Sequence, residues 1–137
     1  MSEIGILGAG GMAREAARYS IDPVVFFAVG RAYMVDGDMS LININNPSET
    51  QKNLKVVAAL GSPAVRRSIN ELWSGDKYTN IVAKSAELYT DNIGEGLIIG
   101  PKSVVTDNTR IGDHVIINIG ATVSHDCELG AYVTICP

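Results

Sequence analysis

Residues 93–137 read IGEGLIIGPKSVVTDNTRIGDHVIINIGATVSHDCELGAYVTICP, and their spacing decides the fold. Ile93, Ile99, Val105, Ile111, Ile117, Val123, Leu129 and Ile135 recur every six residues without a break. Ile, Leu and Val make up about a third of this stretch, so chance would produce such a frame roughly once in a thousand sequences. Glycine follows the anchor at Gly94, Gly100, Gly112 and Gly130, and small Ser103, Thr109, Ala121 and Cys127 each lie four places after one. Ordinary strands repeat every two residues, whereas a period of six is the signature of a hexapeptide parallel β-helix.

Three hexads close one triangular coil of 18 residues, with every sixth side chain on the axis. Ile93 then stacks under Ile111 and Leu129, Ile99 under Ile117 and Ile135, and Val105 under Val123. Each column is an apolar ladder backed by parallel hydrogen bonds between coils. Glycine after the anchor is expected to serve a tight corner with positive φ. The sequence ends at Pro137, mid-repeat, after about two and a half coils, and an open solenoid end exposes unpaired strand edge and core. A truncated β-helix is therefore expected.

Upstream the texture changes near residue 85. Ile4–Leu7 is a short apolar run ending in Gly8-Ala9-Gly10-Gly11, after which Met12–Tyr19 is rich in helix formers. Val24–Val29 is a second apolar run and Val56–Leu60 a third; residues 30–53 read as loop with room for one short strand. Gly61-Ser62-Pro63 opens a helix over Ala64–Trp73, with Ser62 as N-cap and Pro63 at the first helical position. Periodicity puts Val65, Ile69 and Leu72 on its packing face, with Arg66, Arg67 and Asn70 off it. Tyr78–Val82 supplies a fourth strand. The alternation opening on a glycine turn predicts a parallel α/β layer of Rossmann type over residues 1–84, followed by the β-helix over 85–137.

Composition limits the functional classes. The chain has 137 residues, 46% hydrophobic, which excludes a disordered polymer. Eleven Lys and Arg against fifteen Asp and Glu, with no basic block, oppose nucleic-acid binding. No apolar run approaches a membrane span, and the opening residues carry no basic leader. Cys127 and Cys136 fit neither a disulfide framework nor a zinc site; both read as packing residues, no metal site is expected, and a cytoplasmic location follows.

The glycine turn is an arrangement that faces anions with backbone N–H groups. A strict dinucleotide fingerprint would place Gly at Ala13 and an acid at the end of the second strand, where Val29-Gly30-Arg31 stands, so NAD is poorly supported. In a structural alternative the glycines only pack helix on strand.

A small Rossmann-like layer followed by hexapeptide repeats resembles the bacterial hexapeptide-repeat sugar acetyltransferases, which include sialic acid O-acetyltransferases and nucleotide-linked 4-amino-sugar N-acetyltransferases. The resemblance is carried by Gly8-Ala9-Gly10-Gly11, by Gly61-Ser62-Pro63 with Arg66, by residues 108–113 (NTRIGD) and by residues 124–130 (SHDCELG). It implies a left-handed helix, a homotrimer, and acetyl-CoA bound between neighbouring helices as the acyl donor. By the same resemblance His125 is the catalytic base, Asp126 its orienting acid, and Gly8, Ala9, Gly10, Gly11, Met12, Gly61, Ser62, Pro63 and Arg66 form the acceptor-binding end. From the repeats alone His125 would be a solvated surface histidine. Asn118 reads equally as an acceptor contact or a corner asparagine in the left-handed region. Relatives carry a second His near Thr134, His-Gly-Lys at Met12-Ala13-Arg14, and an Asp pair near Gly30-Arg31; these departures leave the bound group open. His114 matches no motif and reads as a surface residue.

The implied reaction moves an acetyl group from a thioester to an amine or hydroxyl of a cell-surface sugar precursor, with histidine taking the acceptor's proton. A sialic acid hydroxyl and a nucleotide-linked amine are both open as acceptors. A competing expectation is a non-catalytic, trimeric nucleotide- or sugar-binding module. Because later coils would supply much of the donor site, the 137-residue chain is expected to transfer acetyl groups poorly.

Overall fold

A computed structural model describes residues 2–137. Its first layer is a four-stranded, all-parallel sheet in the order β3-β2-β1-β4, built from β1 (Ile4–Leu7), β2 (Val24–Val29), β3 (Leu41–Asn43) and β4 (Lys55–Ala58). All four residues of β1 are buried, as a central parallel strand requires. Helix α1 (Gly11–Tyr19) returns the chain to β2, and the small side chains of Ala13 and Ala16 let it sit close to the sheet. The polar stretch 30–53 is more ordered than its composition suggests. It contains β3 and the short helix α2 (Glu49–Asn53), opened by a capping box in which Ser48 and Gln51 bond each other's backbone N–H.

Helix α3 (Pro63–Leu72) begins as expected, with Ser62 Oγ accepting from the Val65 N–H and Pro63 in the first turn. Its packing face differs from the periodicity. Arg66 and Asn70 are buried, while Val65 and Leu72 are 47% and 52% exposed. The reason is the surface it meets. Part of the inner side of α3 lies against corner carbonyls of the solenoid, which need donors rather than methyl groups.

Nine two-residue strands then wind the β-helix: β5 (Ile81–Val82), β6 (Glu87–Leu88), β7 (Ile98–Ile99), β8 (Val104–Val105), β9 (Arg110–Ile111), β10 (Ile116–Ile117), β11 (Thr122–Val123), β12 (Glu128–Leu129) and β13 (Thr134–Ile135). They form three parallel faces, β13-β10-β7-β5, β11-β8-β6 and β12-β9. The register is that of an 18-residue coil: Ile117 pairs with Ile99 and Ile135, Val123 with Val105, and Leu129 with Ile111, which also bridges Ile93. The anchors fill one apolar core with Leu97, Val115 and Ala121. Each fully buried anchor contributes about 1.5–3 kcal/mol. The expected fourth strand of the first sheet is divided: Tyr78 bridges Val56, whereas Ile81 and Val82 pair with Ile98 and Ile99.

The corners correct the reading of the repeat glycines. Positive φ falls on Gly96, Lys102, Asn108, His114, Gly120, Asp126 and Tyr132, again every six residues. None of the post-anchor glycines is among them. Gly100 and Gly112 are small because the next coil passes over them: a Cβ there would lie 2.9 Å from the Ile119 nitrogen and 2.8 Å from the Ala131 nitrogen.

The residue before each anchor points outward and tells the faces apart. On β7 and β10 it is Ile98 and Ile116, both buried against Ile4, Ile6, Val57 and α1. On the other faces it is Val104, Thr122, Arg110 or Glu128, partly or largely exposed. One face of the prism is thereby covered by the α/β layer. Of the described helices, none is long and apolar enough to cross a membrane.

Candidate active site

The predicted residues fall into two groups, one at a corner of the prism and one at the carboxyl edge of the α/β sheet. The first is the turn joining β11 to β12. Asp126 holds φ +60°, and its N–H donates to the Asp107 carbonyl one coil below at 3.1 Å. That backbone turns the Asp126 carboxylate toward two partners. Asn108 Nδ2 donates to Oδ1 at 2.6 Å, and His125 Nδ1 lies 2.6 Å from Oδ2. The Asn108 bond, followed by the His125 bond, holds the Asp126 carboxyl below the usual carboxylate range. An ionised carboxylate against Nδ1 fixes the proton there and leaves the Nε2 lone pair free. The His125 side chain is 72% exposed, so Nε2 is open to an incoming group. Beside this corner runs a polar groove lined by Thr90, Asn92, Arg110, Asp126 and Glu128. Among the described residues no three His, Cys, Asp or Glu side chains are grouped to hold a metal ion.

The second group lies at the carboxyl edge of the α/β sheet. Leu7 and Ala58 pair in register, so the turns after β1 and β4 run side by side. Gly8 holds φ +106°, and a Cβ there would lie 3.1 Å from the Ala59 carbonyl oxygen. Gly10 caps α1 with no side chain, and Gly10, Gly11, Gly61, Ser62 and Pro63 are all exposed, with Ala9 half-buried. Met12 leans into the core under α1. Two helix N-termini thus meet at the point where the chain order of the sheet reverses, the place where open α/β sheets bind ligands.

Arg66 does not join that exposed edge. Its guanidinium is wholly buried and spends its donors on protein: Nε on the His114 carbonyl at 2.9 Å, Nη1 on Leu60, Gly61 and Thr134 Oγ1, Nη2 on Tyr132 and Val133. The expectation of a direct ligand contact is corrected by that burial. Asn118 is also occupied, donating to the Ile135 carbonyl at 3.2 Å, and it is outside the left-handed region.

His114, read as a surface residue, is 9% exposed. It packs edge-on to Tyr78 and stacks on Tyr132, with ring centroids 4.7 and 4.9 Å away. Desolvation pushes its pKa down, the nearby Arg66 adds to this, and Asp113 opposes it. Asn108 enters the sequence reading only within the 108–113 motif, with no role of its own, and the His114–Tyr132 stack not at all, although each pair is separated by one coil, which the repeat length reveals.

No protein-family model matches the chain. It is 34% identical over 82 residues to the GDP-perosamine N-acetyltransferase of Escherichia coli O157:H7, covering 58% of this chain and 37% of that protein. The chain thus spans little more than a third of the curated relative it matches. Among solved structures it resembles the acetyltransferase domain of PglB from Neisseria gonorrhoeae FA1090 in complex with acetyl coenzyme A, with a TM-score of 0.79 and 27% identity, over 99% of this chain and 71% of that one. PerB from Caulobacter crescentus, in complex with CoA and GDP-perosamine, shares the fold with a TM-score of 0.76 and 24% identity, over 98% and 68% of the two chains. The resemblance to bacterial amino-sugar acetyltransferases read from the motifs is found again in these relatives.

Proposed function

We propose that this chain is part of an acetyl-CoA-dependent N-acetyltransferase whose acceptor is a nucleotide-linked amino sugar. The observation that carries the reading is the His125–Asp126 pair, held by Asn108 with Nε2 facing solvent. The similarity to an enzyme acting on GDP-perosamine favours an amine acceptor over a sialic acid hydroxyl. Acetyl-CoA, present in a structural neighbour, is the donor that this chemistry requires.

In the reaction the acceptor nitrogen attacks the thioester carbonyl, a C–N bond forms and the C–S bond breaks. His125 Nε2 takes the proton that the nitrogen sheds, and the departing CoA sulfur recovers one from the imidazolium. Asp126 keeps Nδ1 protonated and stabilises the cation while it exists. At the other end, the N–H groups of Ala9–Gly11 and Gly61–Ser62 suit the diphosphate of a nucleotide sugar, whereas buried Gly8 spends its N–H on the Ala28 carbonyl at 2.8 Å. The strand order and the turn after β1 support a Rossmann-like role for residues 1–84, with 85–137 carrying the base.

The two groups stand apart. Arg66 grips the corner of His114 and Tyr132, while His125 lies on the corner of Asn108 and Asp126, and the step from His114 to Asp126 is two-thirds of a coil. A left-handed homotrimer that brings the His125 corner of one chain to the glycine turns of its neighbour would complete the site. Unpaired Cys127 and Cys136 and the need for acetyl-CoA fit a cytoplasmic enzyme.

Calorimetry with a GDP- or UDP-linked amino sugar, with CMP-linked and free sialic acid as comparison ligands and NAD as control, tests the acceptor. Binding of the nucleotide-linked amine alone supports the reading; binding of sialic acid alone moves it to O-acetylation, and preference for NAD overturns it. A binding module without catalysis would retain every property when His125 is replaced by Ala.

A further inference from the structure

Arg66 is a buried cation with no carboxylate among its partners, and its place in the fold gives it a task. Six hydrogen bonds leave the guanidinium, five to backbone carbonyls and one to Thr134 Oγ1. Two of those carbonyls, Leu60 and Gly61, belong to the turn that opens α3. The others belong to the corner of the solenoid. Thr134 closes the circuit, its hydroxyl donating to the Gly61 carbonyl at 2.9 Å.

We infer that Arg66 is a positioning residue for the acceptor end: it sets the orientation of the Gly61 and Ser62 amides while tying that turn to the β-helix. The inference rests on the acceptor site proposed above. Among the described residues no peptide bond is cis, so each N–H points opposite to the carbonyl of the same peptide. With the Leu60 and Gly61 carbonyls drawn toward Arg66, the N–H groups of Gly61 and Ser62 point the other way. Both residues are exposed, and neither N–H has a protein partner among the described residues. The guanidinium also polarises these two peptides, which strengthens their N–H groups as donors. Arginine suits the task because its rigid fork spans acceptors on two elements at once, which a lysine ammonium on a flexible stem cannot do.

The test compares Arg66→Gln, Arg66→Lys and Asn70→Ala with the unchanged chain. Asn70 lies on the same helix and bonds the Tyr132 hydroxyl at 3.1 Å, but it does not touch the turn. Amide resonances and hydrogen exchange at Gly61 and Ser62 are followed together with calorimetric affinity for a GDP-linked amino sugar. In Arg66→Gln both amides are expected to shift and exchange faster, with affinity falling by about tenfold, and Arg66→Lys recovers part of each effect. Asn70→Ala should leave both unchanged at temperatures where the chain is folded. If Arg66→Gln does not fold, Thr134→Val, which removes only the hydroxyl bridging the guanidinium and Gly61, is expected to move the same two amides. Unmoved amides overturn the inference, as do equal effects in Asn70→Ala. If the unchanged chain binds no nucleotide sugar, the functional reading fails, and the amides alone decide whether Arg66 sets the turn.

Discussion

Asn108 lies one coil below Asp126 and donates a 2.6 Å hydrogen bond to one carboxylate oxygen, leaving the other for His125. Both residues hold positive φ, so the pair is set by the stacking of two equivalent corners. Asn108→Ala removes the largest influence lowering the Asp126 pKa. An NMR titration should show that carboxyl titrating at higher pH than in the unchanged chain. In the proposed reaction acetyl transfer should fall several-fold with little change in acceptor affinity, since the proposed base is disoriented rather than deleted.

His125→Ala deletes the proposed base itself. Turnover is expected to drop by about 10²–10⁴-fold, while calorimetric affinity for the nucleotide sugar stays within a factor of about two. Full activity in this variant would remove histidine from the mechanism.

The His114 stack makes the contact between the two layers sensitive to acid. Burial lowers the His114 pKa in the folded chain from its ordinary 6.5, so the unfolded chain binds the proton more readily. Stability therefore rises with pH through this window and is lost as pH falls below about 6.5. The groups facing the ring are Tyr78, Tyr132, Arg66 and Asp113, with the Arg67 guanidinium 4.7 Å above the Tyr132 ring. Urea denaturation between pH 7.5 and 5.5 should show a falling midpoint, and His114→Phe should flatten that dependence. A slope unchanged in His114→Phe would assign it to other groups.

Glycine at position 112 is a steric requirement of the stacked coils. Gly112→Ala puts a Cβ 2.8 Å from the Ala131 nitrogen and 3.0 Å from the Gly130 carbonyl carbon, so destabilisation of about 1–3 kcal/mol is expected. The denaturation midpoint of the variant against that of the unchanged chain measures it.

The solenoid was legible because its driving force is written in one variable, the burial of every sixth residue. The same period places the anchors, the register and the corner turns. The helix N-termini at Ser62 and Gly10 were legible for a similar reason, since capping depends on residues within one turn. What escaped depends on contacts between distant segments. Arg66 and Asn70 break the apolar periodicity of α3 because its surroundings include backbone carbonyls of residues 114, 132 and 133. His114 looks solvent-facing in its own coil and is buried only because Tyr78 and α3 pack over it. At Gly94, Gly100 and Gly112 the requirement for glycine is steric, and the left-handed strain is borne by Lys102, Asn108, His114, Asp126 and Tyr132.

The periodic left-handed corners turn the solenoid into a ruler. Side chains can be displayed along three columns, and neighbours within a column are separated by the strand spacing of about 4.8 Å. A single inserted residue would throw every later anchor off the axis, whereas a full coil inserted between the α/β layer and residue 125 would move the histidine by one rung. The separation between the glycine turns and His125 can therefore change only in discrete steps, so in the proposed enzyme the reach from acceptor end to base is graduated in whole coils.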